Sequence, residues 1–174
     1  MSLLTPMLRS SPLTDWFSDA QRVQGMLDFE AALAQAQAAC GMVPPEAVGP
    51  IVAACRHEAI DFAALGEAAV GAGNLAIPLV KQLTAQVKAQ DPEAARYVHW
   101  GATSQDAIDT GLVLQLRGAL DAAETLLEQL LAALALQADR YRDTVMPGRT
   151  WMQHALPVTF GPVSYTHLTL PTIA

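Results

Sequence analysis

Lysine is nearly missing from this chain: Lys81 and Lys88 are the only two in 174 residues. With 10 Lys+Arg against 17 Asp+Glu the net charge is −7, so few cations face phosphates and nucleic acid is not an expected partner. Charged residues amount to 16%, where a soluble protein usually carries about 25%. Because hydrophobic residues reach 52%, disorder is excluded, and much of the surface has to face other protein. The chain reads as oligomeric or as part of something larger. Its two cysteines, Cys40 and Cys55, stand apart and read as reduced, buried, small hydrophobes. No His/Cys/Asp/Glu set has metal-ligand spacing, so no metal is expected. Long apolar runs are missing too: Ala68 to Val80 is broken by Gly71, Gly73, Asn74 and Pro78, short of the ~20 residues that span a bilayer, and no membrane partner is expected. Met1 to Trp16 contains Pro6 and Pro12 without a basic start and unbroken apolar run, so it does not read as a secretory signal. A cytoplasmic location is the expectation.

β-branched residues are scarce, with 12 Val and 5 Ile against 32 Ala and 23 Leu, which favours helix over strand. No convincing alternating strand is legible. A first long helix is predicted from about Ser18 to Cys40, on the spacing of Met26, Phe29, Leu33, Ala36 and Cys40, ended by Gly41 and Pro44-Pro45. Shorter helices are expected near 46–56, 61–70 and 78–89. From Ile108 an apolar series runs through Leu112, Leu116, Leu120, Ala123, Leu127, Leu130, Leu134, Ala138 and Tyr141, at about 3.7 residues per step, a helical period. One helix over 105–142 is predicted, with Ser104 as its N-cap. So long a helix needs partners on more than one side, and an all-α bundle shared between subunits is the simplest way to supply them. Residues 150–174 contain no Asp, Glu, Lys or Arg. From Ser164 the helical pattern is lost, so 164–174 reads as an atypical tail, consistent with a non-native end, and is left out of fold reasoning.

Three segments carry candidate chemistry. His99-Trp100-Gly101-Ala102-Thr103-Ser104-Gln105-Asp106 puts small residues and two hydroxyls at the mouth of the long helix, where unpaired N–H groups can hold an anion. Taken alone it is better explained by an ordinary cap, since Ser/Thr caps are routine. In Gly148-Arg149-Thr150-Trp151-Met152-Gln153-His154, Arg149 can pair with a carboxylate and His154 can move a proton near neutral pH, although Trp151 by itself suits a core. Gly71-Ala72-Gly73-Asn74-Leu75-Ala76 has the outline of a dinucleotide fingerprint, but a helical segment precedes it where a strand is required. Asn74 can still donate to a substrate.

GATSQDAIDT before a very long helix, followed by GRTWMQHALPVTFG, resembles the fumarase/aspartase superfamily in motif order and spacing. With MLDFEAALAQAQAACGMVPPEA and AGNLAIPLVKQL, the likeness covers about Asp15 to Gly161 and is nearest to that superfamily's lactonising cycloisomerases. Its lyases acting on fumarate-yielding substrates usually have histidine at the position of Trp151, whereas the bacterial cycloisomerases have tryptophan. The resemblance implies an all-α subunit: an N-terminal helical domain, here 1–100, leads into a bundle of long helices beginning at 101–163. It implies a homotetramer whose sites are drawn from several chains, a small tricarboxylate substrate, and no cofactor. By resemblance Asn74, Thr103 and Ser104 bind carboxylate, Arg149, Thr150 and Gln153 line a second wall, Trp151 shapes the pocket, and His154 transfers or orients a proton. The reaction implied is reversible lactonisation of a carboxylated cis,cis-muconate in aromatic-acid breakdown. The rivals are another lyase of the superfamily, such as adenylosuccinate lyase, and a non-catalytic helical assembly module. The superfamily's third signature, a Gly/Ser-rich loop around Met-Pro-x-Lys that holds a serine implicated as base, occurs nowhere in these residues. An N-terminal fragment, inactive alone, is therefore expected.

Overall fold

The computed structural model describes residues 11–169. In chain order the elements are α1 (Asp19–Ala39), α2 (Pro45–Ala54), α3 (Phe62–Ala72), α4 (Ala76–Gln90), α5 (Ser104–Arg140), β1 (Val145–Thr150), β2 (Gln153–Thr159) and α6 (Phe160–Thr169), with short 3-10 turns at Thr14–Phe17, His57–Ala59 and Ala94–Tyr97. The predominantly helical class is as the composition predicts. Helix starts follow local chemistry: Ser18 Oγ accepts from Gln21 N, Asp61 Oδ1 from Ala64 N, and Pro45 opens α2 where an amide would be unpaired anyway. Gly73, at φ +77, ends α3 in the left-handed conformation. α5 is continuous over 37 residues, about 56 Å long, despite Gly111 and Gly118. Among the described residues no helix is long and apolar enough to cross a membrane.

The chain divides into two units, one ending at Ala119 and the other beginning at Leu120. The first holds the core: Val23, Met26 and Leu27 of α1, Val43, Ile51 of α2, Leu65 of α3, and Leu79, Leu83 and Val87 of α4. Leu27, Leu83 and Val87 are fully buried, each stabilising by about 1.5–3 kcal/mol.

Two predicted helix faces are corrected. On α1 the buried row is Val23, Met26, Leu27, Glu30, Ala34 and Gln37, whereas Ala36 and Cys40 of the predicted row are exposed. On α5 the buried row is Ala107, Gly111, Gln115 and Ala119, while Leu112, Leu116, Leu120, Leu127 and Leu130 are exposed. The reason is backbone proximity. A Cβ on Gly25 would lie 2.9 Å from the Gly111 carbonyl oxygen, so α1 and α5 meet through small residues and leucine is shut out of the contact. Gly118 is covered in the same way by the Trp16 ring. Cys55 is buried as expected, but Cys40 is exposed.

The second unit departs further from expectation. β1 and β2 form an antiparallel hairpin, hidden in the sequence because Pro147, Gly148 and Pro157 read as strand breakers. A two-stranded ribbon tolerates them, since each strand keeps one free edge. Helix α6 continues past Ser164 to Thr169, correcting the reading that helical character ends there; 170–174 lie outside the described residues. Within this unit Tyr141 meets Phe160 edge-to-face at 5.8 Å and Phe160 N donates to Thr144 O.

Candidate active site

The two motif-bearing segments fall in different units and are described separately. In the first, the chain leaves α4, passes through the Ala94–Tyr97 turn and enters α5 by a tight bend in which His99 and Gly101 take φ +56 and +70. Gly101 suits that region; histidine adopts it at some cost. Ser104 is the first residue of α5 and not its cap. The hydrogen bonding at this helix start is reversed from the expected pattern: Asp106 Oδ2 accepts from both Thr103 N (2.8 Å) and Thr103 Oγ1 (3.0 Å). These two bonds, the backbone one foremost, hold the Asp106 carboxyl below the usual aspartate range. Thr103 has one hydroxyl proton and gives it to Asp106. Ser104 Oγ, by contrast, has no intramolecular partner among the described residues and is half-buried.

Asn74 caps α4: its Oδ1 accepts from Ile77 N at 3.1 Å, which leaves the amide NH2 as the available half. It lines a cleft of about 290 Å³ together with Arg22, Met26, Leu75, Ile108, Leu112 and Gln115. Asn74 therefore shares a cleft with the second turn of the helix that Ser104 opens. A helix, α3, precedes the Gly71–Ala76 segment, which removes the strand that a dinucleotide site requires.

Sequence reasoning missed Glu30 and Gln37. Glu30 is 2% exposed and its Oε1 lies 2.6 Å from His99 Nδ1; Gln37 Nε2 donates to Trp100 O at 2.6 Å. Burial pushes the Glu30 carboxyl upward, against the opposing charge and hydrogen bond of His99. Burial also raises the Cys55 thiol, to about 12, helped by the negative charges of Glu30 and Asp28. A carboxylate and an amide in phase with the apolar residues 23, 27 and 34 were the signal available in the sequence.

In the second unit, Arg149 and His154 are cross-strand partners, as are Thr150 and Gln153, and partners in an antiparallel pair have Cβ atoms about 4.5–5.5 Å apart. The hairpin sets these four side chains as two facing pairs, Arg149 with His154 on one face of the ribbon and Thr150 with Gln153 on the other. Trp151 and Met152 form its two-residue turn, with Met152 at φ +61 and the two side chains 89% and 92% exposed. A bulge sets Ala155 and Leu156 against Gly148, where a Cβ would fall 2.5 Å from Leu156 O; glycine is required there. Nothing in the hairpin is buried.

Residues 8–170 match the lyase family. The chain belongs to that family. The chain is 61% identical over 152 residues to a 3-carboxy-cis,cis-muconate cycloisomerase of Pseudomonas aeruginosa, covering 87% of the chain and 33% of that protein. It is 56% identical over 159 residues to the Bradyrhizobium diazoefficiens protein of the same name, covering 91% and 35%. The crystal structure of the 3-carboxy-cis,cis-muconate lactonizing enzyme from Pseudomonas putida superposes with a TM-score of 0.93 at 53% identity, over 96% of this chain and 38% of that one. The chain thus spans about a third of the length of the relatives it matches, and the fumarase/aspartase-type fold expected from its motifs is the one its structural neighbours have.

Proposed function

We propose that the full-length protein is a 3-carboxy-cis,cis-muconate cycloisomerase, interconverting that tricarboxylate with 4-carboxymuconolactone. The observation that carries this reading is Trp151 at the hairpin turn, next to the cross-strand pair Thr150–Gln153 and one step beyond Arg149–His154, where a fumarate-forming lyase would present an imidazole. An indole has no lone pair to accept a proton, so it supports a pocket wall and leaves His154 as the proton-handling side chain of this segment.

In the lactonising direction a substrate carboxylate oxygen forms a bond to one alkene carbon. The alkene pair moves onto the neighbouring carbon, where it is held as an enolate-like dianion beside another carboxylate, and a proton then completes the C–H bond. Nothing is oxidised and nothing leaves. The charge that develops calls for fixed donors and cations. Ser104 Oγ and the Asn74 amide are assigned to one carboxylate, Arg149 to another, and His154, on the same ribbon face as Arg149, to delivering or orienting the proton; Thr150 and Gln153, on the opposite face, are assigned a substrate contact of their own. Thr103 reaches substrate only by exchanging its hydroxyl bond to Asp106. No cofactor is assigned. The exposed leucine row of α5 supports assembly with further copies, which we read as a homotetramer, and a cytoplasmic location belongs to the same reading, with 1–100 as the N-terminal helical domain and 101–163 as the start of the shared bundle; residues 164–169 complete helix α6.

The test is turnover by the full-length protein of 3-carboxy-cis,cis-muconate, adenylosuccinate and argininosuccinate. Loss of muconate absorbance with neither of the other substrates consumed is the expected result. Turnover of a fumarate-yielding substrate alone would replace this reading with that of another lyase, and failure of the intact oligomer to bind any tricarboxylate would leave a structural module.

A further inference from the structure

Helix α1 grips the bend before α5 twice from one face. Glu30 meets His99 through Oε1 and Nδ1 at 2.6 Å, and Gln37, two turns along, donates from Nε2 to Trp100 O, also at 2.6 Å. Between these grips and Gly101 the backbone is held in the left-handed region at both His99 and Gly101. Each grip leaves one buried oxygen, Glu30 Oε2 and Gln37 Oε1, without a hydrogen-bond partner among the described residues. For stability alone this is a poor arrangement: a buried carboxylate–imidazole pair is commonly matched or bettered by apolar side chains of similar volume, and the α1 row is otherwise apolar at Val23, Leu27 and Ala34. What the two polar residues supply is geometry. They fix where the backbone of residues 99 and 100 lies, three to five residues before Thr103 and Ser104.

We propose that Glu30 is a positioning residue of the carboxylate-binding segment: acting through His99, and seconded by Gln37, it sets the bend from which Thr103 and Ser104 enter α5. This deepens, and rests on, the functional reading above. Glu30 itself is buried and touches no substrate; its effect passes through the backbone of 99–103. Because the residues it places are binding groups, disturbing it should act on KM more than on kcat.

Two measurements test this, one independent of activity. In the full-length enzyme acting on 3-carboxy-cis,cis-muconate, Glu30→Leu is expected to lower kcat/KM tenfold or more, mainly through KM. Glu30→Gln, which keeps an oxygen toward His99 Nδ1, should recover to within threefold of the parent. Gln37→Leu, which removes the other grip, should move KM in the same direction and keeps the test alive if Glu30→Leu does not fold. In the 174-residue chain, Gln37→Leu and Glu30→Leu should speed hydrogen exchange at the Ala102 and Thr103 amides at least tenfold while leaving the α2 amides unchanged. Unaltered KM in these variants, or unaltered exchange at 102 and 103, would overturn the proposal. Absence of turnover by the parent enzyme would instead overturn the functional reading, and the exchange measurement would still decide whether Glu30 sets the bend.

Discussion

Up to Ala119 the chain builds a buried apolar core, with Val70, Leu112, Val113 and Leu116 left exposed; beyond it, among residues 120–167, only Gly161 and Ser164 are buried. The apolar content does not fall accordingly, for Leu120, Leu126, Leu127, Leu130 and Leu136 on α5, and Val145, Trp151, Met152, Leu156 and Val158 on the hairpin, are all exposed. The first unit thus has an apolar core of its own, while the second leaves its large apolar side chains half-buried or exposed. The difference teaches that the two stretches answer to different partners: one to its own helices, the other to protein outside these residues, in keeping with relatives about three times as long.

The contrast can be broken most decisively by activity. If the second unit is an unfinished wall, the 174-residue chain should show no detectable cycloisomerase turnover beside a full-length control, a loss of several orders of magnitude when donors and proton-transfer groups are not held together. Turnover approaching the control would mean that the exposed hairpin is already a complete site. Next in size is a pair of leucines: Leu27→Ala in the first unit should cost about 2–5 kcal/mol, and Leu130→Ala in the second, within about 0.5 kcal/mol, should be almost silent in this chain, as read by urea denaturation. Equal costs would erase the distinction. Gly25→Ala, forcing a Cβ against the Gly111 backbone, should destabilise by about 1–3 kcal/mol.

Smaller effects sharpen the picture inside the first unit. Iodoacetamide should label Cys40 promptly and leave Cys55 unmodified until the chain unfolds. With the Cys55 thiol raised to about 12 above an ordinary value near 9, its contribution to stability is complete below pH 9 and is lost as pH rises through 12; Cys55→Ala should flatten that alkaline decline. Asp106 has the opposite sign. Its lowered pKa stabilises above the ordinary aspartate range, and that contribution is lost as pH falls through the folded value. Thr103→Val should bring the Asp106 titration, followed by NMR, part of the way back up, because the Thr103 N–H bond remains.

Much of the fold was legible because caps and breakers are local. Ser18, Asp61, Gly73 and Pro45 mark helix ends within a residue or two, and the phase of α5 survives both of its glycines. Helix faces were not legible from apolarity, and for one physical reason in both long helices: close approach selects for size. α1 and α5 meet through Gly25 and Gly111, so the buried row of α5 holds alanine, glycine and glutamine while its leucines lie elsewhere, and that of α1 admits Gly25, Glu30, Ala34 and Gln37 beside Val23, Met26 and Leu27. The hairpin escaped notice because prolines that would break a central strand are harmless at free edges. The motif residues were readable as a set, but the hydrogen-bond direction at Thr103–Asp106 and the Glu30–His99 pair, 69 positions apart, depend on tertiary geometry that no spacing rule contains.

The Gly25–Gly111 approach also imposes an order of events on biosynthesis. Its two halves are 86 positions apart in the chain, so at 5–20 residues per second α1 waits roughly 4–17 s for its counterpart to be translated. During that interval α2, α3 and α4 can collapse onto α1, but the small-residue face that will receive α5 stays open on the ribosome. When α5 arrives it closes that face and leaves its own leucine row in the solvent. The nascent protein therefore exchanges one sticky surface for another, and its demand for chaperones should rise after the N-terminal domain has finished folding.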